Sequence, residues 1–92
     1  MGGWRFHITV DAERDIQRLD APVQRRVKER LAWFMGHFEE IVPLPLGGTL
    51  AGLFKLRVGD WRIVYQIEND AQLVTIHIVD RRDKIYKRKL SI

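Results

Sequence analysis

The sequence predicts an α+β domain in which a helical hairpin covers an antiparallel sheet. Three observations predict it. Apolar and polar residues alternate from Trp4 to Val10. Val23, Val27, Leu31, Phe34 and Phe38 then recur at helical spacing. The second half holds three β-patterned runs, with Gly59-Asp60 and Asn69-Asp70 between them.

In the first run Trp4, Phe6, Ile8 and Val10 share one side and Arg5, His7 and Thr9 the other, the period-two pattern of a half-buried strand. Asp11 is placed to cap a first helix, with Glu13 and Asp15 at the positive end of its dipole. Ala12, Ile16 and Leu19 mark that helix's apolar stripe. Asp20-Ala21-Pro22 starts a second helix, because proline is tolerated in a first turn. Arg25, Arg26, Lys28, Glu29 and Arg30 fill most of the gaps in its stripe. Trp33 lies between stripes and is expected at the surface. Two prolines and two glycines between Val42 and Gly48 forbid regular structure there.

Leu53–Val58, Trp61–Glu68 and Gln72–Val79 are the expected strands, and the tail from Asp80 is basic with room for a short helix. Two-residue turns would pair Val58 with Trp61, Arg57 with Arg62 and Lys55 with Val64. Across the second turn they would pair Glu68 with Ala71, Tyr65 with Val74, Ile63 with Ile76 and Arg62 with His77. Leu56, Val58, Trp61, Ile63, Tyr65, Val74, Ile76 and Ile78 then form an apolar face for the helices to cover. Lys55, Arg57, Arg62, Val64, Thr75 and His77 form the opposite face. Like charges directly across a sheet repel by roughly a few tenths to 1 kcal/mol per pair. This face is therefore either an anion site or a solvated surface on which the arginines splay apart.

Charge placement bears on the same choice. Residues 1–52 carry seven Lys/Arg against seven Asp/Glu, and residues 53–92 carry nine against five, which is the whole net charge of +4. A basic half on a neutral half fits a polyanion or an acidic partner, or a soluble basic surface. With no cysteine in the sequence, disulfides, thiol catalysis and thiolate metal sites are excluded. His7, His37 and His77 have no metal-ligand spacing, and no metal or cofactor is expected. No apolar run approaches the ~20 residues that span a bilayer. The first residues have no apolar signal region, so a cytoplasmic protein without a membrane partner is expected.

The run Leu53-Phe54-Lys55-Leu56-Arg57-Val58-Gly59-Asp60-Trp61-Arg62-Ile63-Val64-Tyr65-Gln66 resembles the central hairpin of the RelE/ParE toxin superfamily. Ile78-Val79-Asp80-Arg81-Arg82-Asp83-Lys84-Ile85-Tyr86 resembles that family's closing motif. Two positions depart from the family pattern: Leu53 stands where a second lysine is found, and Asp80 where a histidine often begins the motif.

The resemblance implies one domain over residues 1–92, with about four strands, antiparallel except at a mixed edge where the first strand joins, packed on the helical hairpin. It implies a toxin of a type II toxin–antitoxin system that is held inactive by a cognate antitoxin and cleaves mRNA on the ribosome. The alternative within the family is a non-enzymatic inhibitor of DNA gyrase. Lys55, Arg62, Arg81 and Tyr86 fall on catalytic positions, and Arg57 on a basic position of the hairpin. His77, Arg82 and Lys84 are expected to contact RNA phosphates.

RNA carries its own nucleophile, the 2′-OH. Cleavage therefore needs a base, positive charge for the developing phosphorane, and protonation of the 5′-oxygen. Arg57 and Arg62 suit the second task, because a guanidinium matches phosphate oxygens two at a time. Lys55 is the expected base, since neighbouring cations disfavour its ammonium form. His77 is either an imidazole for proton transfer or a structural histidine. Tyr86 either stacks on a splayed base or packs at the sheet edge. This chemistry requires the side chains of Lys55, Arg62 and Arg81 to reach one side of the molecule.

Overall fold

The computed structural model describes residues 3–90. Chain order is β1 (Arg5–Ile8), α1 (Val10–Gln17), α2 (Ala21–Gly36), β2 (Leu44–Pro45), β3 (Phe54–Val58), β4 (Trp61–Glu68) and β5 (Leu73–Arg81), with 3-10 turns at Phe38–Glu40, Gly48–Leu50 and Ile85–Lys87. The five strands form one sheet in the order β1-β5-β4-β3-β2. β1 runs parallel to β5, and the other pairs are antiparallel. The fifth strand is the first correction to the sequence reading. The proline-rich segment pairs Leu44 with Lys55 and Pro45 with Phe54. Proline is tolerated there because β2 is the outermost strand, where a missing N–H can face away from the ladder.

β1 stops at Ile8, two residues earlier than the alternation predicts. The reason is a cap. Thr9, and not Asp11, begins α1, its hydroxyl accepting a hydrogen bond from the Ala12 N–H at 3.1 Å. Val10 thereby enters the helix and is exposed. α2 follows its predicted stripe, burying Val27, Leu31 and Phe34. Phe38 lies in the 3-10 turn beyond the helix, yet its ring still packs on Trp4, Phe6 and Phe34.

The β3–β4 turn is a two-residue turn, and every predicted pair across it is present. Gly59 carries the positive φ of +59° that the first central position of a type II′ turn demands. The β4–β5 connection differs. It holds four residues, Asn69–Gln72, with Gln72 itself at φ +49°, and it pairs Glu68 with Leu73 instead of Ala71. A shift of two preserves the side-chain parity, so Tyr65 faces Ile76 in place of Val74.

A bulge then breaks that parity. Tyr65 pairs with Ile76 while Val64 pairs with Ile78, which leaves His77 as the extra residue. Beyond it Ile63 pairs with Val79, Arg62 with Asp80 and Trp61 with Arg81. The predicted Arg62–His77 and Ile63–Ile76 pairs are thus absent.

The bulge divides the apolar residues of β5 between two cores. Ala12, Ile16, Val27, Leu31, Phe34, Leu56, Ile63, Tyr65, Val74, Ile76 and Val79 pack between the helices and the sheet. Leu46, Leu50, Leu53, Val64, Ile78 and Ile85 form a second core on the opposite side, under the loop after β2 and the C-terminal turn. Ile78, predicted on the helix side, belongs to this second core. Among the described residues, no helix is long and apolar enough to cross a membrane.

Candidate nucleic-acid interface

The side of the sheet away from the helices has two zones. Leu46, Leu50, Leu53, Val64, Ile78 and Ile85 close off its middle. Lys55, Arg57 and Arg62 lie at the β3–β4 hairpin end, on the same pleat as Val64. Arg57 sits directly across from Arg62. Leu53, which holds the place of the family's second lysine, is 8% exposed and anchors the second core. A charge there would have to be buried among apolar side chains, at a cost that normally excludes it.

Arg62 is fixed by the turn next to it. Its Nη1 donates to the Gly59 carbonyl at 2.8 Å and to its own neighbour Trp61 at 2.9 Å. Desolvation, then Arg57, then Arg82 push its proton affinity below the guanidinium norm, and Asp60 opposes them. Arg82 is brought there by the tail. Its backbone N–H donates to the Asp60 carbonyl at 2.9 Å, which ties the end of β5 to the β3–β4 turn. Arg57, Arg62 and Arg82 therefore form a cationic cradle at one rim of the sheet.

Arg81 is not part of that cradle. Its partner across the ladder is Trp61, so it follows the helix-side pleat. Its guanidinium lies over the Trp61 ring, 5.9 Å from the centroid, and its Nε stands 3.6 Å from the Asp83 carboxylate. The one-side requirement is met by Lys55 and Arg62 and is not met by Arg81, so a nuclease built on those three positions is ruled out and any such reading has to draw its third cation from elsewhere. Arg82, the neighbour of Arg81 in the chain, is tied by its backbone to the β3–β4 turn and lies close enough to act on the charge of Arg62. Lys84 is exposed in the turn that follows, its N–H bonded to the Arg81 carbonyl at 2.9 Å.

His77 is also set apart. The bulge turns it toward Gln66, with Nε2 2.9 Å from Oε1. Gln66 lies four residues along β4 from Arg62, roughly 13 Å at the usual strand rise. Burial, against the pull of Glu68 and with a further push from His7, lowers the imidazole's proton affinity. The shift favours the uncharged imidazole as the hydrogen-bond partner of Gln66. Tyr86 is exposed on the 3-10 turn whose Ile85 seals the second core, and its carbonyl accepts from the Thr49 hydroxyl at 3.3 Å.

One constellation was not expected. Asp15 and Asp80 are bridged by Arg88. The Arg88 Nη2 lies 3.1 and 3.0 Å from the two Asp15 oxygens, and its Nη1 lies 3.0 Å from Asp80 Oδ2. Asp15, read from sequence as a helix-start charge, is 6% exposed and also accepts the Val79 N–H at 3.0 Å. β1 pairs with β5 only as far as Ile76, which leaves the Val79 donor on an open edge for α1 to satisfy. Nothing in the spacing of 15, 80 and 88 announces this contact, because it joins a helix, a strand end and a tail.

Trp33 is 42% exposed as expected, stacked on His37 and covered by the Arg30 guanidinium 4.5 Å from its centroid. Among the described residues, no group of three or more His, Asp or Glu side chains is placed to hold a metal ion.

Comparison with known proteins agrees with this architecture. Residues 6–86 match a family model described as the ParE toxin of the type II toxin–antitoxin system parDE. Toxin RelG of Mycobacterium tuberculosis (strain ATCC 25618 / H37Rv) is 34% identical over 85 residues, which cover 92% of this chain and 98% of that protein. Toxin RelE of the same organism is 32% identical over 80 residues, covering 87% and 82%. A chain of the toxin–antitoxin complex RelBE2 from M. tuberculosis superposes with a TM-score of 0.71 at 30% identity, covering 86% of this chain and 98% of that one. The isolated Escherichia coli RelE toxin, at 19% identity, shares the fold with a TM-score of 0.67 over 91% of this chain and 92% of its own.

The fold and its basic rim thus define a toxin of the type II toxin–antitoxin class. Within that class the chain belongs to the RelE/ParE superfamily.

Proposed function

We propose that this protein is a ribosome-dependent endoribonuclease that cleaves mRNA without a metal or cofactor. The observation that carries the reading is the convergence of Arg57, Arg62 and Arg82 on one rim, with Lys55 on the same pleat. Arg62 is within electrostatic range of both Arg57 and Arg82, a crowding of cations that a phosphate relieves. Lys55 takes the proton of the 2′-OH, and the 2′-oxygen attacks the adjacent phosphorus. The bond to the 5′-oxygen breaks, leaving a 2′,3′-cyclic phosphate and a 5′-hydroxyl whose proton comes from solvent. The arginines stabilise the charge that grows on the phosphorane.

Lys84 is assigned to phosphate and Tyr86 to a base on the family resemblance, both being exposed in the turn after β5. Arg81 stands outside this proposal, engaged by Trp61 and Asp83 on the other pleat, and the charge for the reaction comes from Arg57, Arg62 and Arg82. His77 has no part in the reaction, since the apolar band of the second core stands between it and the rim. The ribosome supplies what an open rim lacks, an RNA held in line for attack. A cognate antitoxin is the expected cellular partner, because the RelBE2 relative is a toxin–antitoxin complex. The cytoplasm is where ribosome and message are met.

The test is in vitro translation with primer extension on the message. Removing one preorganised charge-stabilising donor costs about 10²–10³ in rate. Arg62→Ala and Arg57→Ala should each slow ribosome-dependent cleavage by about that factor, with unchanged far-UV circular dichroism. Folded variants that cut at wild-type rate would refute the assignment.

One observation favours a second reading, inhibition of DNA gyrase: Arg81, on a family catalytic position, is engaged by Trp61 and Asp83 and faces away from the cradle. That reading requires replication to stop before translation in cells expressing the protein.

A further inference from the structure

Asp80 poses an electrostatic question. It lies directly across the ladder from Arg62, where an acid and a base normally pair. Such a pair would remove a full charge from the cradle. The two do not pair. Asp80 Oδ1 accepts the Arg81 N–H at 2.8 Å, and Oδ2 accepts Arg88 Nη1 at 3.0 Å. The acid whose charge bears on Arg62 is Asp60 and not Asp80.

Arg88 is itself held from behind by Asp15, which is buried and tied to the β5 backbone. Its planar fork spans both carboxylates at once, which a lysine ammonium cannot do in the same geometry.

We propose that Arg88 is a positioning residue for the cationic rim: gripping Asp80 from the tail, it keeps that carboxylate off Arg62 and leaves the Arg57–Arg62–Arg82 cradle fully charged for an RNA phosphate. This rests on the reading of the cradle as a phosphate site. It also explains how the closing motif works with an aspartate at its first position, since the chain carries the cation that engages this acid.

The experiment is a double-mutant cycle on binding of a fluorescent single-stranded 2′-O-methyl hexanucleotide, which keeps every phosphate and lacks the attacking hydroxyl. In Arg88→Gln, Asp80 is released to pair with Arg62. A half-buried pair of this kind should weaken binding by at least about two- to fivefold, the range of exposed pairs. Adding Asp80→Asn should restore the wild-type affinity. Asp80→Asn with Arg88 intact should change it by less than about twofold, because that charge is already engaged. Rescue by Asp80→Asn is a signature that a merely structural role of Arg88 would not show.

Because Arg88→Gln also strips the buried Asp15 of its cation, the cycle is repeated in an Asp15→Asn background. The asparagine oxygen can still accept the Val79 N–H there without a buried charge. The proposal is overturned if Asp80→Asn tightens binding equally with and without Arg88, or if the double variant binds no better than Arg88→Gln. Arg57→Ala, Arg62→Ala and Arg82→Ala serve as separate controls. If none of them weakens binding, the phosphate-site reading itself fails; if they do and the cycle shows no coupling, only the positioning role fails.

Discussion

Tyr65 is fully buried, its ring 4.7 Å from Phe34 and 5.8 Å from Phe54. Burial pushes its phenol up to about 12. In the unfolded chain a tyrosine ionises near ~10. The unfolded state therefore loses this proton first as pH rises. The contribution to stability is whole below pH ~10 and is lost between ~10 and ~12, by about 1.4 kcal/mol per pH unit at most. Urea unfolding followed from pH 9 to 11.5 should show the wild type losing stability faster than Tyr65→Phe. A difference between the two that stays constant with pH would count against this. At the same scale, Lys55, Arg57 and Arg62 were legible because a two-residue turn with Gly59 at its first position admits one register. Arg81 and Arg82 were not separable in the sequence. Adjacent residues on a strand point to opposite faces, and only the true register says which of them joins Arg62.

Among the elements, β5 departs most from expectation, and two backbone events explain it. A four-residue connection with a left-handed Gln72 replaces the two-residue turn, and the bulge at His77 reverses the sides of every residue after it. Alternation cannot reveal a bulge here. Ile76, Ile78 and Val79 are all apolar, so either assignment buries them. Because of the bulge, the 3-10 turn at Ile85–Lys87 is anchored on Ile78 and Val64 through Ile85, which is 2% exposed. Truncation of a buried isoleucine typically costs about 2–5 kcal/mol. Ile85→Ala should lower stability by that order in denaturant unfolding. It should also speed amide exchange at Lys87 and Arg88, whose N–H groups bond to Lys84 and Ile85 carbonyls. Unchanged exchange there would mean that the tail is held by Arg88 alone.

For the whole molecule, Arg57, Arg62 and Arg82 of the basic second half come together where the β3–β4 hairpin and the start of the tail meet. Phosphate contacts release counterions, so the phosphate-site reading predicts an affinity for RNA that falls with salt in proportion to their number. Each of Arg57→Ala, Arg62→Ala and Arg82→Ala should reduce the log–log salt slope by about 0.7 on single-stranded RNA, while His77→Gln leaves it unchanged. A slope altered equally by all four would place the phosphates elsewhere. By composition and period alone, the chain determined its class: strand, helical hairpin and three further strands, with a basic second half and one covered face. Those features are local, set by side-chain spacing and by turns a few residues long. The second core, the exchange of Arg81 for Arg82 at the rim and the Asp15–Arg88–Asp80 bridge were decided only in three dimensions. Each depends on which face a residue takes after a bulge, or on groups 65 and 73 positions apart meeting at an open strand edge, and neither is encoded in the spacing along the chain.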